Sequence, residues 1–139
     1  MLAALSVEHR ARQWRDQLAH AEKTTWVAVQ AARFVGFASV GPSRDADTGA
    51  GVGELYAIYV TPAAWGKSVG HALHEPVLTK LESDYTEAVL WVLDGNARAR
   101  GFYERHGWLA DGAVKEEQRG EAVLNEVRYR RVLGPALAT

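Results

Sequence analysis

The chain has 139 residues, a formal net charge of −1, 47% hydrophobic and 24% charged residues, and no cysteine. Near-neutral charge supplies no global field to draw nucleic acid or an anionic membrane, and the lack of cysteine excludes disulfides, thiolate metal clusters and thiol catalysis. One domain spanning residues 1–139, with a real core, fits this length.

The opening MLAALSVEHR has neither a basic n-region nor a long apolar run. No signal peptide or membrane span is expected from it, and a cytoplasmic location is the default. Residues 2–20 read as an amphipathic helix with Leu2, Leu5, Trp14 and Leu18 on one face; a cap near Ser6 would divide it into two shorter helices. TTWVAVQ (24–30) and RFVGFASV (33–40) are β-branched and aromatic, and the two alanines between them predict a hairpin. Residues 41–53, rich in Gly, Ser and Asp, read as a flexible loop. A strand over Glu54–Val60 then meets a glycine-containing turn and a helix from about Val69 to Ser83, which Pro76 should kink or deprive of one backbone bond.

Residues 86–93 (TEAVLWVL) form a continuous apolar run, as expected of a strand buried on both faces. Asp94-Gly95-Asn96 makes a turn, Asn96 caps the helix ARARGFYERH, and Gly107 ends it. Trp108–Ala110 and residues 122–133 supply two more strands, separated by the polar loop DGAVKEEQRG, and the final GPALAT is expected to fray. The expected order is therefore α, β, β, β, α, β, α, β, β: a mixed α+β fold around one twisted sheet flanked by helices.

Glu54–Ala72 is the most informative stretch. A strand, a compact turn and a helix N-terminus gather backbone N–H groups and a favourable dipole around one point, which suits a phosphate or pyrophosphate. TPAAWGKS (61–68) nearly spells the nucleotide-binding pattern G-x-x-x-x-G-K-[ST], with Asp94 in the place of a magnesium-holding Asp. Thr61 replaces the first glycine, however, Pro62 lacks an N–H, and the upstream hairpin is antiparallel in character. The nucleotide reading is a distant alternative.

A second reading uses more of the chain. Trp65-Gly66-Lys67-Ser68-Val69-Gly70, followed at the right separation by Asn96, Ala99, Phe102-Tyr103 and Gly107-Trp108, resembles the Gcn5-related N-acetyltransferase family from about Leu5 to Leu133. In that family the turn R/Q-x-x-G-x-G/A holds the pyrophosphate of acetyl-CoA. Two residues depart from it: Ser68 stands for the middle glycine and Trp65 for the Arg or Gln. The chain also begins where the family's second helix lies. The resemblance therefore implies that the usual first strand and helix are absent, and that either the start is truncated or another chain covers an exposed edge strand, as in a homodimer.

The resemblance implies acetyl-CoA as acetyl donor and direct transfer to an amine in a ternary complex. Lys67, Ser68, Val69, Gly70, His71 and Ala72 would surround the pyrophosphate, and Tyr59 and Val60 would pair like a strand with pantetheine in a slot between splayed central strands. Asn96 would bond the pantetheine arm, cap its helix, or do both. Tyr103 is the implied acid for the leaving thiolate; on spacing alone it reads as a core aromatic. Glu54 is either a base acting through a water or an exposed strand-end acid. His71 either touches phosphate or faces solvent, and Arg98, Arg100 and Arg105 are either a solvated helix face or contacts for the 3′-phosphate. His9, His20, His74 and His106 show no metal-ligand spacing, and no metal is expected. No nucleophile elbow is present. The acceptor is a small-molecule or peptide amine, with neither nucleic acid nor membrane as partner. The rival from another class is a catalytically silent acyl-CoA-binding or oligomer-forming relic of the same fold.

Overall fold

The structure is a computed structural model that describes residues 8–12 and 23–133. Among the described residues seven strands form one sheet: β1 (Glu8–Arg12), β2 (Thr24–Gln30), β3 (Arg33–Pro42), β4 (Val52–Val60), β5 (Glu87–Leu93), β6 (Leu109–Arg119) and β7 (Ala122–Val132). They lie in the order β1-β2-β3-β4-β5-β7-β6. Among the described residues there are two helices, α1 (Val69–Asp84) between β4 and β5, and α2 (Ala97–Arg105) between β5 and β6. Every pairing is antiparallel except β4 with β5. A parallel neighbour needs a crossover, and α1 provides it.

The β2–β3 hairpin turns on Ala31 and Ala32, both in the left-handed region (φ 53° and 63°). Positive φ at both central residues is what a two-residue hairpin loop demands to match strand twist. On α1, Val69, Leu73, Val77 and Leu81 recur at four-residue spacing and are all buried. That stripe packs on β3 and β4, each side chain contributing about 1.5–3 kcal/mol by burial. Gly36 permits the approach, since a Cβ there would strike the Tyr59 carbonyl and meet Leu73. α1 runs continuously through Pro76. Behind the helices, Leu90, Trp108 and Tyr129 are fully enclosed.

Two expectations fail. Glu8–Arg12, expected within a helix, is strand β1, pairing from Glu8 with Val29 to Arg12 with Thr25. The open ladder groups of β2 offer these five residues hydrogen bonds that outweigh a weak helical preference. The edge of β2 is thereby covered from within the chain. The rest of the expected 2–20 helix, and the GPALAT tail, lie outside the described residues. The expected loop DGAVKEEQRG is instead most of β6, closed onto β7 by a turn at Gly120 (φ 61°). It reads as polar because β6 is an edge strand exposed on nearly its whole length.

Candidate active site

The central feature is a fork in the sheet. β4 and β5 pair only through Val52–Glu87, Gly53–Ala88 and Glu54–Val89. Beyond Glu54 both strands run on, β4 held by β3 and β5 held by β7, with no ladder between them. The parallel strands thus part toward their C-terminal ends, where α1 and α2 begin. Clefts at the carboxyl ends of parallel strands are where ligands bind in α/β sheets.

Backbone polarity in the fork follows from one bond. The Thr61 N–H donates to the Val35 carbonyl (2.9 Å), which makes Thr61–Val35 a hydrogen-bonded pair. Such pairs alternate along an antiparallel ladder, so Tyr59 exchanges bonds with Phe37 while Ile58 and Val60 turn their N–H and C=O groups toward β5. Val60 therefore faces the slot as expected. Tyr59 presents its backbone to β3, and Ile58 takes its place. Register decides this, and register was not readable from composition.

At the head of α1 the expected donors divide. Ala72 N–H already bonds the Ser68 carbonyl (3.0 Å), so it is spent within the helix. The N–H groups of Val69, Gly70 and His71 precede that first helical bond and, with those of Lys67 and Ser68, form the free N-terminal donors. Ser68 adopts a left-handed conformation (φ 66°, ψ 13°) with no side-chain capping bond. Gly70 has a role beyond the turn, because a Cβ there would lie 3.2 Å from the Phe102 ring of α2. Pro62–Ala64 forms a single 3-10 turn with Pro62 at its start, so the first half of the segment that mimics a nucleotide loop supplies no N–H cradle.

Tyr103 is buried, and its ring meets Phe102, Trp108 and Tyr129. Its hydroxyl bonds no described residue, and among the described residues no buried side-chain oxygen or nitrogen lacks a partner, so the oxygen is not sealed within the core. Burial pushes its pKa up to about 12. The ring belongs to the core and the hydroxyl is a neutral donor. Asn96 Oδ1 accepts the Ala99 N–H (3.0 Å), leaving its NH₂ free for a ligand.

Glu54 sits at the fork's base and is 2% exposed, so it is not an exposed strand-end acid. Arg44 holds it with its backbone N–H (2.9 Å to Oε1) and its guanidinium (3.0 Å to Oε2). Each oxygen keeps a lone pair for a further donor. Arg44 comes from the β3–β4 loop, whose flexible composition hid it. The same loop is pinned by the buried Arg128, which binds Asp45 (3.0 Å), Asp47 (2.8 Å) and Asp111 (2.7 Å). A bulge in β6 between Ala110 and Val114 places Asp111 there, and Trp91 Nε1 donates to Asp45 (3.0 Å).

The His71 side chain is exposed, as the solvent-facing reading expects, and it meets Glu75 (3.4 Å) and His106. His106 Nδ1 lies 2.8 Å from the Phe102 carbonyl, which can only accept, so Nδ1 carries a proton, and His106 Nε2 shares a hydrogen bond with His71 Nδ1 (3.1 Å). This bond ties α1 to the end of α2. Beneath it His74 accepts from Trp108 Nε1 (3.0 Å), and burial, followed by neighbouring positive charge, lowers its pKa to about 3. Among the described residues no group of His, Asp or Glu is arranged to hold a metal ion.

The three arginines of α2 separate. Arg100 is consumed by Asp94 (2.8 Å) and by the Tyr129 hydroxyl (3.0 Å). Arg105 lies at the far end of the helix, beside His106. Arg98, in the first turn, stacks on the Trp65 ring at 4.2 Å.

A family model for the acetyltransferase (GNAT) family matches residues 3–108. The chain belongs to that family. GNAT proteins use acetyl-CoA as co-substrate, and the fork and the free donors of α1 fit that ligand. Similar solved structures include a GNAT-family protein from Desulfovibrio desulfuricans (24% identity, 82% of this chain and 71% of that one, TM-score 0.66). A ribosomal-protein-alanine N-acetyltransferase from Brucella melitensis aligns at 23% identity over 80% and 69%, TM-score 0.70. NAA60 from Arabidopsis thaliana, in complex with a bisubstrate analogue, aligns at 14% over 83% and 78%, TM-score 0.71. At these identities they establish the shared fold. No curated protein sequence matches the chain. Among the described residues no helix is long and apolar enough to cross a membrane.

Proposed function

We propose that this chain is a single-domain N-acetyltransferase that moves the acetyl group of acetyl-CoA directly to an amine. The observation that carries the reading is the β4–β5 fork, unpaired beyond Glu54–Val89, with a helix N-terminus beginning just beyond each of its two arms. Acetyl-CoA supplies the activated acetyl thioester. The N–H groups of Lys67, Ser68, Val69, Gly70 and His71 hold the pyrophosphate, and the slot-facing groups of Ile58 and the N–H of Val60, whose carbonyl is taken by Trp65, pair with the pantetheine amides, helped by the Asn96 NH₂. Tyr103 keeps its proton on Oη at neutral pH, because burial opposes the phenolate, and gives it to the departing sulfur. Glu54, held in place by Arg44, takes the ammonium proton through a bridging water.

The reading is tested by thiol release from acetyl-CoA across an amine panel. Names among the structural neighbours include a ribosomal-protein-alanine acetyltransferase and a nourseothricin acetyltransferase, so the panel combines peptide N-termini with small polyamines. Amine-dependent release supports transfer. Tyr103→Phe should cut turnover by about 10²-fold or more with little change in acetyl-CoA affinity. Equal turnover would return Tyr103 to the core alone.

A further inference from the structure

Arg98 is an exposed guanidinium fixed without a carboxylate. Its Cζ stands 4.2 Å from the centre of the Trp65 ring, and no described residue forms an ion pair with it. Most of the arginines around the fork are neutralised: Arg44 by Glu54, Arg100 by Asp94, and Arg128 by three aspartates. Trp65 is itself anchored, its indole N–H donating to the Val60 carbonyl (2.9 Å) at the end of β4. The stack therefore runs from the end of one arm of the fork to the first turn of the helix that follows the other. A cation–π contact orients a cation while leaving its charge unpaired, which an acidic partner would not do. Arginine's fork of donors matches the oxygens of a phosphate.

We propose that Arg98, positioned by Trp65, is a phosphate-binding residue of this chain, contributing from α2 a cation to the site otherwise formed by the head of α1. The proposal rests on the acetyl-CoA reading above. It also gives the Trp65 departure a function: the turn carries no arginine at that position, and its aromatic ring holds one from the opposite helix.

The test is calorimetric titration of the full chain and its Arg98→Ala, Arg98→Glu and Trp65→Leu variants with acetyl-CoA, 3′-dephospho-acetyl-CoA and S-acetylpantetheine. Arg98→Ala should weaken acetyl-CoA about tenfold, with Arg98→Glu weaker still and Trp65→Leu moving in the same direction. S-acetylpantetheine, which has no phosphate, should bind all four proteins alike. Loss confined to acetyl-CoA places Arg98 on the 3′-phosphate; equal loss with the dephospho form places it on the pyrophosphate. Unchanged acetyl-CoA affinity in Arg98→Ala overturns the proposal and leaves the acetyl-CoA reading standing. Equal weakening of S-acetylpantetheine also overturns it, since the effect would then be structural. Failure of the unaltered chain to bind acetyl-CoA overturns both.

Discussion

Ser68 stores backbone strain at the point where α1 begins, and Ser68→Gly should release it. Its φ of 66° and ψ of 13° lie in the left-handed region, and its side chain makes no capping bond. An L-residue there costs about 1–2 kcal/mol. Glycine avoids this cost but returns part of it through greater freedom in the unfolded chain, leaving a net gain of about 0.5–1 kcal/mol. Unfolding entropy of about 2.1 cal/mol/K per residue gives roughly 0.3 kcal/mol/K for a chain of this size, so the midpoint should rise by about 2–3 °C in differential scanning calorimetry. Ser68→Ala removes the same hydroxyl but keeps the strain, and should leave the midpoint nearly unchanged. Acetyl-CoA affinity should not fall in Ser68→Gly, because the donor N–H is retained. A lowered midpoint in Ser68→Gly, or a drop in Ser68→Ala, would refute the strain assignment and show that the hydroxyl holds the turn.

Three further substitutions probe the charges and protons of the fold. His74 is held neutral with a pKa lowered to about 3, so the unfolded chain binds a proton that the native one refuses; stability is whole above pH 6.5 and lost as pH falls toward 3. His74→Gln, which keeps an acceptor for Trp108, should flatten that acid decline, worth about 2–3 kcal/mol at pH 4.5 in urea titrations. Tyr103, with its pKa raised to about 12, has the opposite window: stability falls between pH 10 and 12 as the unfolded phenol ionises first, and Tyr103→Phe should soften that alkaline limb. Arg128→Ala removes the cation shared by Asp45, Asp47 and Asp111, while Asp45 keeps Trp91, Asp111 keeps Arg130 and Asp47 is open to water; the cost should be about 1–3 kcal/mol by chemical denaturation, and no measurable cost would show that the network holds nothing together.

The elements that announced themselves were those with local signals. Asn96 caps α2, Gly107 ends it with φ 93°, the two-alanine hairpin formed, and the Val69–Leu81 stripe is the buried face of α1. β6 was hidden because an exposed edge strand has no apolar alternation to betray it. β1 was hidden because its cause is the open edge of β2, a feature of the assembled sheet. Within the site, residue types pointed to the head of α1 and to Tyr103, but hydrogen-bond phase decided that Ile58 and not Tyr59 faces the slot. Arg44, Arg128 and the Trp65–Arg98 stack arise from contacts across the chain that no spacing rule encodes.

The central claim is that the β4–β5 fork and the head of α1 hold acetyl-CoA. Calorimetric titration of the full chain with acetyl-CoA, beside ATP–Mg²⁺ on the same preparation, tests it most directly. Micromolar binding of acetyl-CoA with no heat from ATP–Mg²⁺ is the predicted result. A folded protein silent toward acetyl-CoA, or one that binds ATP–Mg²⁺ instead, would contradict the claim.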